Sequence, residues 1–147
     1  MAKFVFRLNS VLNLKLKLEE QEKIAYSLAA ARVKEEEEKL QMLYVRREEL
    51  VNSKRTLLSG VLSAKELNLT ENAIKSTDGK ISEQALILKK AEKNLENARI
   101  KLNNAIKERK IYEKLKEHAY EDWLKELEHT EQLEINELVS FRHGTKQ

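Results

Sequence analysis

Apolar residues recur at alternating intervals of three and four along the second half of the chain, where leucine and alanine alternate. This spacing places the side chains on one face of an α-helix and is typical of a coiled-coil seam. Alanine at every second position lets a partner helix approach closely. The pattern predicts a long second helix whose seam comprises Leu88, Ala91, Leu95, Ala98, Leu102, Ala105, Tyr112, Leu115, Ala119, Trp123 and Leu127.

The first half of the chain carries a similar but less regular pattern. Asn9 or Ser10 can cap the free amides of a first helical turn. The frame changes where Ala25, Ala29 and Val33 are spaced by fours, which indicates a stutter in the supercoil. The predicted seam of this first helix comprises Val11, Leu14, Leu18, Ala25, Leu28, Val33, Leu40, Leu43, Leu50, Leu57 and Val61.

Helix breakers divide the chain. It has no proline in 147 residues and only three glycines, Gly60, Gly79 and Gly144. In a helix interior, proline costs about 3 kcal/mol and glycine about 1 kcal/mol. Ser63 and Glu66 have the spacing of a capping box, and Asp78-Gly79 is typical of a turn. We therefore predict a single domain over residues 1–147, with a first helix at about 9–59, a tip with a short helical segment at about 60–79, and a second helix at about 80–141.

Charge patterning favours an antiparallel arrangement. Residues 1–18 carry four basic side chains and no acid, whereas residues 117–138 carry eight acidic side chains and one lysine. A chain that folds back about residue 70 brings these ends together and places Glu35 to Glu38 near Lys101, Lys107 and Arg109. A parallel dimer in register would instead stack the four glutamates on each other, which is unfavourable. The predicted fold class is all-α, two long helices in an antiparallel coiled-coil hairpin.

A basic band is not neutralised by this pairing, and its role stays open. It comprises Arg46, Arg47, Lys54, Arg55, Lys89, Lys90 and Lys93. The net charge of +3 and the pI of about 9.0 make nucleic acid a partner to consider. The band has no aromatic residue for base stacking, however, and no recognition-helix signature. We therefore predict that the chain does not bind nucleic acid.

Candidate chemistry is sparse. Cysteine is absent, so disulfides and thiolate metal sites are excluded, and the three histidines lack the i, i+4 spacing of a helical zinc site. The isolated glycines form no phosphate-binding loop. No apolar run approaches the roughly 20 residues of a membrane span, and Met1 to Leu18 is not a convincing secretory signal. We expect no catalysis, no cofactor and no metal.

Four apolar residues precede the first helix: Phe4, Val5, Phe6 and Leu8. They form either a flap folded onto the end of the hairpin or a contact for a partner. Together with Arg7, Val11 and Leu12 they resemble the start of the FliJ family of flagellar export proteins. Further segments are similar to that family: Lys110 to Glu117, the closing Glu134-Ile135-Asn136-Glu137-Leu138 followed by Arg142, and, for the tip, Gly60, Ala64 to Leu67, Ile81 and Gln84.

The resemblance implies a stalk of the bacterial flagellar type III export apparatus, at the cytoplasmic face of the inner membrane. Family members insert an antiparallel coiled coil into the hexameric export ATPase, promote assembly of its ring, touch the membrane-embedded export gate and in some cases handle export chaperones. ATP hydrolysis belongs to the ring. The tip departs from the family pattern, with Asn72 or Ala73 where an aromatic residue is common.

Two sets of contact residues follow from the resemblance. The paired ends are expected to enter the ATPase ring, and the tip is expected to face the gate. The alternatives are a self-associating coiled-coil scaffold or spacer without a motor partner, and a basic rod that binds nucleic acid. The expected ring contacts are Phe4, Phe6, Arg7, Lys15, Lys17, Glu134, Glu137 and Arg142, and the expected gate contacts are Leu67, Leu69, Ile74 and Ile81.

Overall fold

Two long helices make up the fold. The computed structural model describes residues 3–60 and 63–145, with helix α1 at Asn9–Ser59 and helix α2 at Ala64–Thr145. Within the described residues there is no strand, no cis peptide bond and no positive φ. The predicted all-α class with two antiparallel helices is confirmed.

The chain forms two compact units where the sequence analysis predicts one domain. The terminal unit comprises Met1–Gln21 and Asn103–Gln147, and the central unit comprises Glu22–Leu102. Each unit contains part of α1 and part of α2, and each has its own contacts between the two helices.

Polar pairs show the antiparallel direction in the central unit. Gln84 hydrogen-bonds Glu36, Arg47 Nε lies 2.6 Å from Asp78 Oδ1, and Lys54 Nζ lies 3.4 Å from Glu71 Oε1. Residue numbers rise along α1 as they fall along α2, so the helices run in opposite directions.

The terminal unit shows the same direction. Lys15 Nζ lies 3.4 Å from Glu108 Oε2, and Glu19 Oε2 lies 2.5 Å from Arg109 Nε. Lys116 Nζ donates to Asn9 Oδ1 at 3.2 Å. Asn9 is therefore not the cap of α1, since its side chain is held across the seam and the carbonyl of Leu8 accepts the first helical bond from Leu12 N at 2.9 Å.

The predicted break at Asp78-Gly79 and the separate short helix before it are wrong, because α2 continues through both. Ser63 Oγ accepts from Glu66 N at 3.4 Å, so Ser63 caps a helix as predicted, but that helix is α2 itself. Thr77 is buried, and Asp78 is held by Arg47. These contacts with α1 offset the cost of about 1 kcal/mol that glycine carries in a helix.

The predicted register is also wrong, because the chain reverses between Ser59 and Ala64 rather than about residue 70. Glu36 consequently meets Gln84, and Arg109 meets Glu19 instead of the run Glu35 to Glu38.

The seam of α2 follows the predicted leucine–alanine pattern through Leu88, Ala91, Leu95, Ala98, Leu102 and Ala105, all buried or half-buried. Lys101 and Lys107 are exposed, as their positions off the seam require. Trp123 also lies on the seam. Leu115 does not, since it is 44% exposed and Lys116 takes the inward position.

The predicted seam of α1 is wrong in its first half, and so is the stutter. Leu14, Leu18 and Leu28 are exposed. Near Leu14 and Leu18, the inward positions are taken by Lys15 and Glu19, which have partners across the seam. The inward positions repeat at three and four within each unit, except that Arg47, between Leu43 and Leu50, is exposed. They are Leu12, Lys15 and Glu19 in the terminal unit, and Glu22, Tyr26, Ala29, Val33, Glu36, Leu40, Leu43, Leu50, Lys54 and Leu57 in the central unit.

Candidate functional site

The segment before α1 folds onto α2 in the terminal unit, so it is a flap. The ring of Phe4 meets Tyr120 edge-on at 5.2 Å between centroids and Trp123 at 5.7 Å. Phe6 is buried at 9% exposure, whereas Val5 is 78% exposed. A groove of about 790 Å³ runs between the flap and α2, with Arg7, Asp122 and Trp123 among its lining residues. Apolar residues before a helix are a sequence signal for such a flap, and aromatic packing of this geometry stabilises it.

A charged cluster lies in the seam next to this flap. Lys15 pairs with Glu108, and its Nζ lies 5.7 Å from the centroid of the Tyr112 ring. Glu19 is buried, and its carboxylate, paired with Arg109, raises the pKa of that guanidinium above its ordinary value, with a further contribution from Glu113. Lys15 is thus a seam residue with two partners, unlike Arg7 and Lys17, which are exposed.

The last part of α2 projects an exposed face. Every residue from 128 to 144 is exposed, including Leu133, Ile135 and Leu138. Glu134 and Glu137 flank Leu138 and Phe141 around a shallow groove of about 500 Å³. Apolar and acidic side chains therefore share one stretch of helix that has no α1 segment covering it.

The predicted ring contacts accordingly fall into two groups. Phe4, Phe6 and Lys15 are buried or half-buried within the terminal unit, so they offer little surface to a partner. Four exposed side chains remain available to a partner: Arg7, Lys17, Glu134 and Glu137. Arg142 is also exposed.

The predicted gate contacts also divide. Leu67, Ile74 and Ile81 are half-buried at intervals of seven residues, which places them on the seam of α2. Leu69 is 61% exposed. Leu69 is therefore the one of the four that offers most of its surface to a partner.

A buried carboxylate in the central unit is a feature that the sequence analysis missed. Glu36 is 1% exposed, and Gln84 Nε2 donates to its side chain and, at 3.1 Å, to its backbone carbonyl. Arg32 and Lys39 approach its other oxygen at 3.0 and 3.4 Å. The Gln84 hydrogen bond lowers the pKa of Glu36; burial opposes this shift, and Lys39 and Arg32 reinforce it. The available sequence signal lay on α2, where Gln84 falls between Ile81 and Leu88 at spacings of three and four.

The basic band does not exist as one surface. Arg47 pairs with Asp78, Lys54 with Glu71, and Arg46 with Glu49 at 3.7 Å. The band was predicted from a wrong alignment of the two helices. The acidic residues that neutralise these three side chains lie on α2 and on α1 itself.

Two kinds of site are absent from the described residues. They hold no group of three or more His, Cys, Asp and Glu side chains placed to bind a metal ion. None of the helical segments that the structure describes combines the length and apolarity that a bilayer crossing demands.

Comparisons with known proteins bear on the origin of this architecture. A solved structure from Chlamydia trachomatis, described as a proposed YscO homolog, is 24% identical, covers 99% of this chain and 100% of its own, and has a TM-score of 0.49, too low for an argument about function. No curated protein matches the sequence significantly. The model of the family described as flagellar FliJ protein matches residues 4–147, nearly the whole chain. The chain belongs to the FliJ family, whose members serve flagellar type III protein export.

Proposed function

We propose that the chain is a non-enzymatic stalk of the flagellar export apparatus, which promotes assembly of the export ATPase ring and couples the ring to the export gate. The supporting observation is the exposed end of α2 in the terminal unit, where Glu134, Glu137 and Leu138 are all exposed to solvent. An exposed helix end of this kind is suited to insertion into a ring-shaped partner.

The stalk acts through binding energy. A chain that binds the assembled ring better than separate subunits shifts the assembly equilibrium by mass action. The chain itself carries no phosphate-binding loop in its sequence, so the ATP turnover belongs to the partner. The working location is the cytoplasmic face of the inner membrane, where ring and gate meet.

The test adds the chain to the cognate flagellar ATPase and measures ring population by sedimentation and ATP turnover by phosphate release. Both should rise. Glu134→Lys with Glu137→Lys should weaken ring binding about tenfold, or 1.4 kcal/mol. The matched control reverses Glu83 and Glu92, two exposed glutamates of α2 in the central unit, and should leave stimulation unchanged.

Orientation is tested separately. Leu69→Asp should leave stimulation of the ATPase intact and reduce binding to the isolated cytoplasmic domain of the gate. Loss of stimulation in this variant, with stimulation retained after reversal of Glu134 and Glu137, would mean that the central unit, and not the end of α2, enters the ring.

The alternative function is a self-associating scaffold. Because the described seam positions of each unit are satisfied by α1 and α2 of the same chain, a hairpin needs no second copy to bury them. A molecular mass of one chain in solution, measured by light scattering, supports the stalk, whereas a concentration-independent dimer supports the scaffold.

A further inference from the structure

Three lysines of the central unit stand apart from the ion pairs around them. Lys89, Lys90 and Lys93 lie within just over one turn of α2, and all are exposed. In the part of the chain that the structure describes, no carboxylate pairs with any of them, whereas Arg46, Arg47 and Lys54 all have acidic partners. Glu92 lies among them on the same stretch of helix but pairs with none of the three, so the group keeps a net positive charge and an anionic group placed beside it gains favourable energy.

An apolar groove lies beside these lysines. It encloses about 630 Å³ between α1 and α2, and Leu28, Ile87 and Lys90 are among its lining residues. Its origin is local: Ala29 and Ala91 occupy inward positions with small side chains and leave space between the larger residues. The groove is thus built into the seam of the central unit.

The walls of the groove are apolar and exposed to solvent. Leu28 is 67% exposed and Ile87 is 45% exposed, and their neighbours Ile24 and Leu86 are 54% and 69% exposed. Leu28 follows Ile24 by one helical turn, and Lys90 follows Leu86 by one turn, so apolar and basic side chains share this face. Exposed apolar residues clustered with charges of one sign mark binding surfaces more often than isolated ones do.

We propose that this groove receives an acidic amphipathic helix of a partner protein, with apolar side chains between Leu28 and Ile87 and carboxylates against Lys90 and Lys93. A helix laid in an apolar groove is a common mode of protein recognition. Charge complementarity selects the acidic class, because Lys90 lines the groove and Lys93 follows it by three residues on the same helix. Arg32, on the α1 wall, is paired with Glu35 and Glu36 and contributes little to this positive charge.

Two other occupants fit less well. Nucleic acid would leave the apolar walls uncovered, and none of the residues lining the groove is aromatic. The acidic end of α2 from a second copy has the right chemistry, but in the proposed function that end is taken up by the ATPase ring. The preference for a different protein over a second copy therefore rests on the proposed function. The evidence for a binding site in the groove does not depend on that function.

The experiment uses the full chain and a fluorescent synthetic peptide of about three heptads, with leucine at the a and d positions and glutamate at most others. Binding is measured by fluorescence anisotropy at low and high salt. We expect saturable binding that weakens as salt rises, since exposed charges are screened. A peptide with the leucines replaced by glutamine, and one with the glutamates replaced by lysine, should bind at least tenfold more weakly.

Matched variants locate the site. Lys90→Glu with Lys93→Glu should weaken binding of the acidic peptide at least tenfold, and so should Leu28→Ser with Ile87→Ser. The control is Lys107→Glu with Lys110→Glu, an exposed lysine pair of the same spacing on the same helix in the terminal unit. This control should bind the peptide as the unaltered chain does, and circular dichroism should show that all variants stay helical.

Three results overturn the proposal. If the control pair of lysine substitutions weakens peptide binding equally, the effect is one of overall charge. If the chain binds a 20-nucleotide RNA and only the Lys90 and Lys93 variant loses that binding, the groove is a nucleic-acid site. Self-association that the groove variants abolish means that a second copy is the occupant. Stimulation of the ATPase is measured alongside: groove variants should keep it, so a failure of the stalk function is seen independently of peptide binding.

Discussion

Glu36 shows how a single side chain carries information that hydropathy does not. Its side chain has 1% exposure, and three polar residues surround its carboxylate: Gln84 across the seam on α2, and Arg32 and Lys39 on α1. A buried charge is tolerated when hydrogen bonds and opposite charges replace its water. From the sequence, the run of four glutamates offers no reason to choose one as buried, because the choice is made by Gln84, which lies far away along the chain.

Low pH should reduce the stability that the buried Glu36 carboxylate gives to the fold. The folded-state pKa of Glu36 lies below its ordinary value of 4.5, so its ionised form stabilises the folded chain at any pH above that value. This stability is lost as pH falls through the lowered folded-state pKa. Thermal unfolding monitored by circular dichroism from pH 7 to pH 3 should show a steeper acid loss for the unaltered chain than for Glu36→Gln. Glu37→Gln, at an exposed neighbour, should keep the full acid dependence.

Each helix shows a different limit of sequence-based prediction. In α2 the leucine–alanine repeat fixes the inward face, and the prediction from Leu88 to Ala105 is correct. In α1 the inward face includes Lys15, Glu19 and Glu36, and the outward face includes Leu14 and Leu28. Hydrophobicity therefore indicates the wrong face of α1. The polar inward residues are stabilised by partners on α2, and these partners are known only once the alignment of the two helices is known.

A pair of leucines two residues apart tests the observed face of α1. Leu12 is 6% exposed and Leu14 is 53% exposed. Leu12→Ala should lower the free energy of unfolding by about 2 kcal/mol, the low end for a core leucine. Leu14→Ala should change it by less than about 0.5 kcal/mol, as is usual for surface substitutions. Urea unfolding measures both, and a larger effect at Leu14 would restore the face predicted from the sequence.

Gly79 distinguishes a continuous α2 from a helix with a break. A Cβ at this position meets nothing within 4 Å, and the φ of Gly79 is not positive. Gly79→Ala should therefore stabilise the chain by up to about 1 kcal/mol, because alanine has the better helix propensity. A turn at Asp78-Gly79 would make the same substitution destabilising. Equilibrium urea unfolding decides the sign, with Lys80→Ala, at an exposed neighbour, as the control.

At the scale of the whole chain, composition and missing helix breakers were sufficient to predict two long helices, and charge patterning predicted that they run antiparallel. The position of the reversal was missed because Gly79 looked like a break equal to Gly60. The contact surfaces could be predicted only as far as family resemblance allows. Exposure then separates Leu69 from Leu67, and Arg7 from Phe6, a distinction that requires the packed structure.

The register of the terminal unit has a direct spectroscopic test. The chain has no native cysteine, so spin labels attach only where cysteine is introduced. Labels at Lys15 and Glu108, whose charged groups lie 3.4 Å apart, should report a short distance within one molecule. Labels at Lys15 and Lys125 should be about 25 Å farther apart along the axis, at a rise of about 1.5 Å per residue. Equal distances for the two pairs would contradict the register.

The buried polar pairs also affect whether the two helices can slide along each other. A seam that repeats every seven residues permits the two helices to slip past each other by one repeat, about 10 Å, and bury nearly the same apolar surface. Such a slip would separate Glu36 from Gln84 in the central unit and Glu19 from Arg109 in the terminal unit, and would leave charges in the seam without partners. Each unit thus carries its own penalty against slippage, and an axial push on one helix is passed to the other instead of being lost in a shift between them.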